Sequence, residues 1–267
     1  AVEKKIDAIG KVHYTDKSLA KIIVAENAYN ALSNTQKSNV SNYGALKSAR
    51  NAYNALVADN IDTSSYTITD KGSLSDEVNW FVYDNGLLEI TGKGSIPSYS
   101  KGNAPWYQYK DNITSILVRS SITDIGDSSF YGCNNVTEIT LPFVGASRDA
   151  EGYSCSFGYI FGYSTVSSRS NGDFVPGCGY KESHNNGWYY YYEFLVPSSL
   201  KKVTVTDATQ IGKGAFHKCT GISEIVLNDG ITSIGDYAFY NNPWYNNLTD
   251  EFVTVGDNVL IKYNGTK

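Results

Sequence analysis

The chain has 267 residues, 41% hydrophobic and 18% charged, which excludes a disordered tail. Mean hydropathy is -0.31 and no apolar run approaches the roughly 20 residues of a spanning helix, so membrane insertion by this chain is excluded. Net charge is -5, divided as +3 over residues 1–60 and -8 over the rest, and without a basic stripe a nucleic-acid partner is excluded as well.

The sequence starts at Ala1 and contains no Met; a mature or trimmed chain, with any signal peptide gone, is expected. Over residues 1 to about 58 the apolar residues recur at helical spacing. Ile6, Ile9 and Val12 form one stripe, Leu19, Ile22, Ile23, Ala25, Ala28, Tyr29 and Leu32 a second, and Tyr43, Leu46, Ala49, Ala52, Tyr53 and Leu56 a third. Asp16 and Ser41 are the expected N-caps. AENAYNAL at 25–32 returns as ARNAYNAL at 49–56, placing Tyr29 and Tyr53 equivalently on two helices. A small N-terminal α-helical bundle over 1–60 is predicted, with each tyrosine ring packed into it.

After Ala58 the period changes. Residues 61–71 are rich in Ser and Thr and read as a linker. Val78, Trp80 and Val82 alternate, Asp84-Asn85-Gly86 offers a tight turn, and Leu88 and Ile90 alternate in return, which predicts a hairpin over 76–92. A second unit therefore occupies 61–267.

An internal repeat decides that unit's fold. ITDIGDSSFYGCNNVTEITLP (122–142) aligns without gaps on ATQIGKGAFHKCTGISEIVLN (208–228), and ITSIGDYAFYNN (231–242) begins a third copy. Each carries Ile-Gly, at 125, 211 and 234, and then Phe130, Phe216 or Phe239. The second and third copies are 23 residues apart. A coil of that length cannot bury its own apolar face and must stack on neighbours, so a β-solenoid is predicted. The repeated Gly implies a sharp turn or a close backbone approach. Cys133 and Cys219 share one repeat position, where a small thiol suits a crowded interior; both are expected reduced, buried, and on neighbouring coils if the insertion loops out between them. Cys155 and Cys178 are the expected pair if any is oxidised.

The pattern IxxIGxxAFxxCxxLxxIxLP resembles the BspA-like leucine-rich repeats of bacterial surface proteins. The segment before it, with Ala104-Pro105-Trp106-Tyr107, is similar to the lead-in of such proteins. The departures are Ser129 where Ala is usual, Asn242 in place of a third Cys, and an insertion. The Asn242 change predicts that the third coil ends or diverges at Asn242 to Tyr245. The resemblance implies a leucine-rich-repeat solenoid following the helices. It also implies a non-enzymatic, extracellular or cell-surface binding protein, acting in adhesion or recognition; the alternative is an accessory carbohydrate-binding or spacer region of a larger secreted enzyme.

The first two Ile-Gly pairs are 86 residues apart, leaving an insertion at about 143–200 in which 14 of 58 residues are aromatic. A structureless loop of this length is unusual, so a folded island is predicted. If 188–196 is a strand, alternation buries the face ending in Phe194 and Val196 and turns Tyr189, Tyr191 and Glu193 outward. Trp188, Tyr189, Tyr191 and Glu193 are the candidate residues for a protein or glycan ligand.

No catalytic residues, metal site or cofactor are expected. HExxH, GxSxG, P-loop and GxGxxG patterns are absent, and Asp70, Asp84, Asp127 and Asp257 lie beside turns, as turn chemistry requires. His13 follows the first helix and His184 lies in a polar loop. His217 occupies the position of Tyr131 and Tyr240 and reads as a surface coil residue.

Overall fold

The computed structural model describes residues 1–169, 179–183, 189–256 and 259–265. Its N-terminal part contains α1 (Val2–Asp7), α2 (Asp16–Asn30), the short α3 (Asn34–Lys37) and α4 (Tyr43–Asp59). α1, α2 and α4 pack together around Ile6, Ile9, Val12, Ile22, Leu46 and Tyr53. The caps fall one residue from the expected positions. Thr15 caps α2, accepting from the Ser18 amide, and Asn42 precedes α4. Ser41 instead binds the Glu3 carboxylate through its amide and hydroxyl, 2.9 and 2.6 Å, tying α4 to α1. Tyr53 is buried as expected, while Tyr29 stacks on Tyr43 at 3.9 Å.

Next come β1 (Ile68–Ser73), β2 (Val78–Tyr83), β3 (Leu87–Gly92), β4 (Gly94–Ile96), β5 (Ser115–Val118), β6 (Ile122–Ile125) and β7 (Glu138–Leu141). β8 (Tyr163–Arg169), β9 (Gly179–Ser183) and β10 (Tyr189–Phe194) follow. The chain continues with β11 (Lys202–Val205), β12 (Gln210–Ile211), β13 (Glu224–Leu227) and β14 (Ser233–Ile234). α5 (Pro243–Asn246), β15 (Phe252–Val255) and β16 (Val259–Tyr263) complete it. The expected linker is shorter than its composition suggests, because β1 pairs antiparallel with β2 from Ile68. β2 and β3 form the predicted hairpin.

The principal sheet runs β1-β2-β3-β5-β7-β11-β13, and from β3 onward every junction is parallel. Strand alternation sorts its side chains into two faces. Leu88, Ile116, Ile139, Val203 and Ile225 stand in register on the inner face and enter one continuous core. Glu89, Leu117, Thr140, Thr204 and Val226 form the corresponding outer row.

An aromatic file runs through that core along the stack. Trp106 lies 6.0 Å from Phe130, Phe130 6.3 Å from Phe161, Phe157 5.2 Å from Phe216, and Phe216 5.7 Å from Phe239 at an interplanar angle of 9°. The repeated glycines follow from the same close stacking. A Cβ on Gly126 would lie 2.1 Å from the Ser98 amide nitrogen, and one on Gly235 2.4 Å from that of Lys213. Close approach of the preceding repeat, not a positive φ, requires them. Asn242 caps α5, accepting from the Tyr245 amide and donating to the Cys219 carbonyl. The third copy thus diverges where the substitution predicted.

The excursion from the stack is narrower than the alignment predicts. Phe143, Val144, Phe157, Ile160, Phe161 and Leu200 belong to the common core, so 143–161 and 195–205 build a repeat of their own, ending in β11. Among the described residues of the insertion, those that leave the stack form the antiparallel sheet β8-β10-β9. β11 therefore separates β7 from β13, and Cys133 and Cys219 are not on neighbouring repeats. Cys133 and Cys155 are free and buried, and burial pushes their thiols up to about 12 and about 11. Cys219 is disulfide-bonded, contrary to the expected reduced state; Cys178 lies outside the described residues.

His217 also differs from its expectation. It is 6% exposed and stacks on Tyr240 at 5.2 Å, because a repeat with neighbours on both sides covers a position that the last one leaves open. Burial, with the Lys218 charge adding to it, lowers its pKa to about 4.

Phe216→Ala is expected to cost about 3 to 5 kcal/mol in urea unfolding, whereas Phe252→Ala, at a side chain 60% exposed, should change stability by less than about 0.5 kcal/mol. The unfolded chain binds a proton at His217 near pH 6.5, while the folded chain binds it only near 4. Stability should therefore fall as pH drops through that window, by an amount on the order of 2 kcal/mol. His217→Tyr, restoring the residue of the sister repeats, should flatten the profile measured by urea unfolding between pH 4 and 7.

Candidate functional site

The outer face of the parallel sheet is not open to solvent along its whole width. α4 crosses it, touching β11, β13 and β15, and Thr204 and Val226 are only 3% and 9% exposed although they point away from the core. Beside them lies a cleft of about 600 Å³. One wall is apolar, from Val57, Ala58, Ile61 and Tyr66. Its floor carries Thr140 and Thr204 from one outer row and Glu138, Lys202 and Glu224 from the other. Lys202 Nζ is 3.3 Å from Glu224, and Glu138 stands on its other side in register. Among the described residues no ion pair is made by Glu138, so the floor presents an acidic group beside hydroxyls.

A polar cluster around the buried Glu89 fixes one end of the cleft. Glu89, 4% exposed, accepts from Arg119 Nε at 2.7 Å, Thr63 Oγ1 at 2.9 Å and the Tyr83 hydroxyl at 2.7 Å. The Arg119 guanidinium also donates to the carbonyls of Asp59 and Ile61, and the Ser120 amide donates to the Asp59 carboxylate. The chain leaving α4 is thereby held against β3 and β5. At its other end α4 is held by an ion pair between Lys47 and Asp250, beside a second gap of about 370 Å³ lined by Tyr29, Tyr43, Trp244 and Val253.

The residues singled out from the sequence lie elsewhere. Tyr189, Tyr191 and Glu193 fall on β10, the middle strand of its sheet, while Trp188 lies outside the described residues. Glu193 is exposed and Phe194 buried, as alternation predicts. Phe194 anchors the strand: its side chain sits where a Cβ on Gly158 would stand, and the Leu195 amide donates to the Gly162 carbonyl at 2.8 Å. The cleft was not foreseen, since nothing in the residue types or spacing of Glu138, Thr140 and Lys202 marks them as a site. Among the described residues no group of three or more His, Cys, Asp or Glu is placed to hold a metal ion, and no helix is long and apolar enough to cross a membrane.

Residues 103–158 and 190–263 match, in six copies, the family described as the BspA type leucine rich repeat region. Among solved structures, the chain is similar to a leucine-rich repeat protein from Eubacterium ventriosum, with 20% identity and a TM-score of 0.29 over 64% of this chain and 63% of that one. It is also similar to a leucine rich cell surface protein from Faecalibacterium prausnitzii, with 17% identity and a TM-score of 0.26 over 69% and 50%. The chain thus spans less than two thirds of the length of either. No curated protein matches it.

Arg119→Ala would leave the Glu89 carboxylate buried without its guanidinium, and should cost about 3 to 5 kcal/mol. Lys47→Ala, at a half-exposed pair, should cost less than about 1 kcal/mol. Thermal unfolding of the two variants beside the parent distinguishes them.

Proposed function

We propose that this chain, which carries BspA-type leucine-rich repeats over residues 103–158 and 190–263, is a non-enzymatic bacterial cell-surface or secreted protein acting in adhesion or recognition. In this reading residues 61–267 are a β-solenoid and residues 1–60 a small helical bundle beside it. The cleft on the outer sheet face carries the proposal. Its size, its apolar wall and its row of threonines suit an extended protein segment, and Glu138 beside Lys202 and Glu224 favours a basic side chain on that segment.

A second reading places a glycan on β10, in an accessory carbohydrate-binding role within a larger secreted enzyme. It is supported by the exposed Glu193 and the anchoring of the strand through Phe194, with Trp188, Tyr189 and Tyr191 as the proposed stacking residues.

The two are separated by probing a panel of extracellular matrix proteins and a glycan array with the parent, with Glu138→Arg, and with Tyr189→Ala plus Tyr191→Ala, each variant shown to be folded. Loss of a matrix-protein signal by at least tenfold in Glu138→Arg alone is the expected outcome. A signal lost only in the double tyrosine variant moves the site to β10. No binding by the parent in either screen leaves a spacer that holds another domain away from the wall.

A further inference from the structure

We infer that the cleft takes a polyproline II segment carrying a basic residue at every third position. The inference rests on reading the cleft as the binding site, and names the backbone shape and charge spacing of what occupies it.

The cleft runs along the stack, across β5, β7, β11 and β13. One row of its floor is Ser115, Glu138, Lys202 and Glu224, in register on successive strands. Both carboxylates are exposed. With neighbouring strands about 4.8 Å apart, Glu138 and Glu224 stand about 9.6 Å from each other, with Lys202 between them. A polyproline II chain has three residues per turn and rises about 3.1 Å per residue, so residues i and i+3 share one face about 9.3 Å apart. The two residues between are each turned away by about 120°, which leaves no ligand cation over Lys202. A β-strand does not match this spacing: its same-face residues recur at about 6.8 Å, and residue i+3 points to the opposite face. An α-helix needs seven residues to span about 10.5 Å, and its carbonyls are already bonded except in the last turn. Polyproline II makes no internal hydrogen bonds, and the cleft offers donors for its carbonyls. Among the described residues, the side-chain amides of Asn54 and Asn85 and the hydroxyl of Thr140 donate to no protein group. Tyr66, on the apolar wall, supplies a ring of the kind proline-rich segments pack against.

The test titrates the full chain into three fluorescein-labelled synthetic peptides, read by fluorescence anisotropy. One is four repeats of Pro-Pro-Arg, one is four consecutive arginines between runs of proline, and one is four repeats of Thr-Arg. Equal charge takes non-specific attraction out of the comparison. The Pro-Pro-Arg peptide is expected to bind at least tenfold more tightly than either of the others. Glu138→Gln and Glu224→Gln, at exposed positions and each shown to be folded, should each weaken it at least fivefold and change the consecutive-arginine peptide by less than twofold. If the three peptides bind alike, if Thr-Arg binds best, if no peptide binds, or if either glutamine variant leaves the Pro-Pro-Arg affinity unchanged, the inference is wrong. Failure of the cleft itself reads separately. A matrix-protein signal lost in Glu138→Arg keeps the cleft as the binding site with an occupant of another shape, whereas a signal untouched by Glu138→Arg removes the cleft and this inference with it.

Discussion

The fold depends on one constraint: parallel strands stand about 4.8 Å apart, so every repeat must deliver a large side chain to the same interior slot. Trp106, Phe130, Phe161, Phe157, Phe216 and Phe239 meet that demand in turn. The backbone bonds confirm that the rings share one role. The amides of Phe130, Phe157 and Phe216 each donate to the carbonyl of the residue just before the next ring, at Ile160, Ala215 and Ala238. The expanded repeat is the informative case. It divides the slot between two rings, Phe161 toward the preceding repeat and Phe157 toward the following one, and so rejoins the stack without a gap.

Much of this was legible in the sequence and some was not, for identifiable reasons. Ile-Gly followed by Phe at fixed spacing revealed the regular repeats, since close approach and ring stacking demand those residue types. FGYIF at 157–161 escaped because its ring spacing is its own and no Ile-Gly precedes it. Left-handed backbone occurs at equivalent positions in the repeats, at Ser128, Gly214 and Tyr237 and again at Gly132, Lys218 and Asn241. Only the glycines and Asn241 signal it; Lys218 and Tyr237 are held there by the turn around them. The state of Cys219 was misjudged because position within a repeat says how buried a thiol is and nothing of what it meets.

Among the helices, AENAYNAL and ARNAYNAL differ at one position, and those two residues face each other. Arg50 Nε and Nη2 bind the Glu26 carboxylate at 2.7 and 2.6 Å. The pairing is readable in retrospect from the charge swap. How the helices sit on the sheet is not, because the contacts that fix them combine the carbonyls of Asp59 and Ile61, which any residue provides, with surface side chains, Asp59 on the Ser120 amide and Lys47 on Asp250, whose pairing no spacing signals. For the same reason the cleft could not be found from residue types, whereas the aromatic run at 188–192 drew the eye by composition alone.

The expanded repeat also sets an order for assembly. Where repeats are regular, the contacts joining them close short loops: Thr137 bonds Thr114, and Asn242 bonds Cys219, each across 23 residues. Ser199 reaches Val136 across 63. Closing the longer loop costs about 1 kcal/mol more in chain entropy, and it must be met before β11 gains its pairing with β7. The stack is thereby divided into two stretches of low contact order, one ending at β7 and one beginning at β11, each able to form locally. Their junction is the step expected to be slow when this chain folds, and during synthesis the first stretch would wait, its last strand edge exposed, until Leu200 and β11 emerge to cover it.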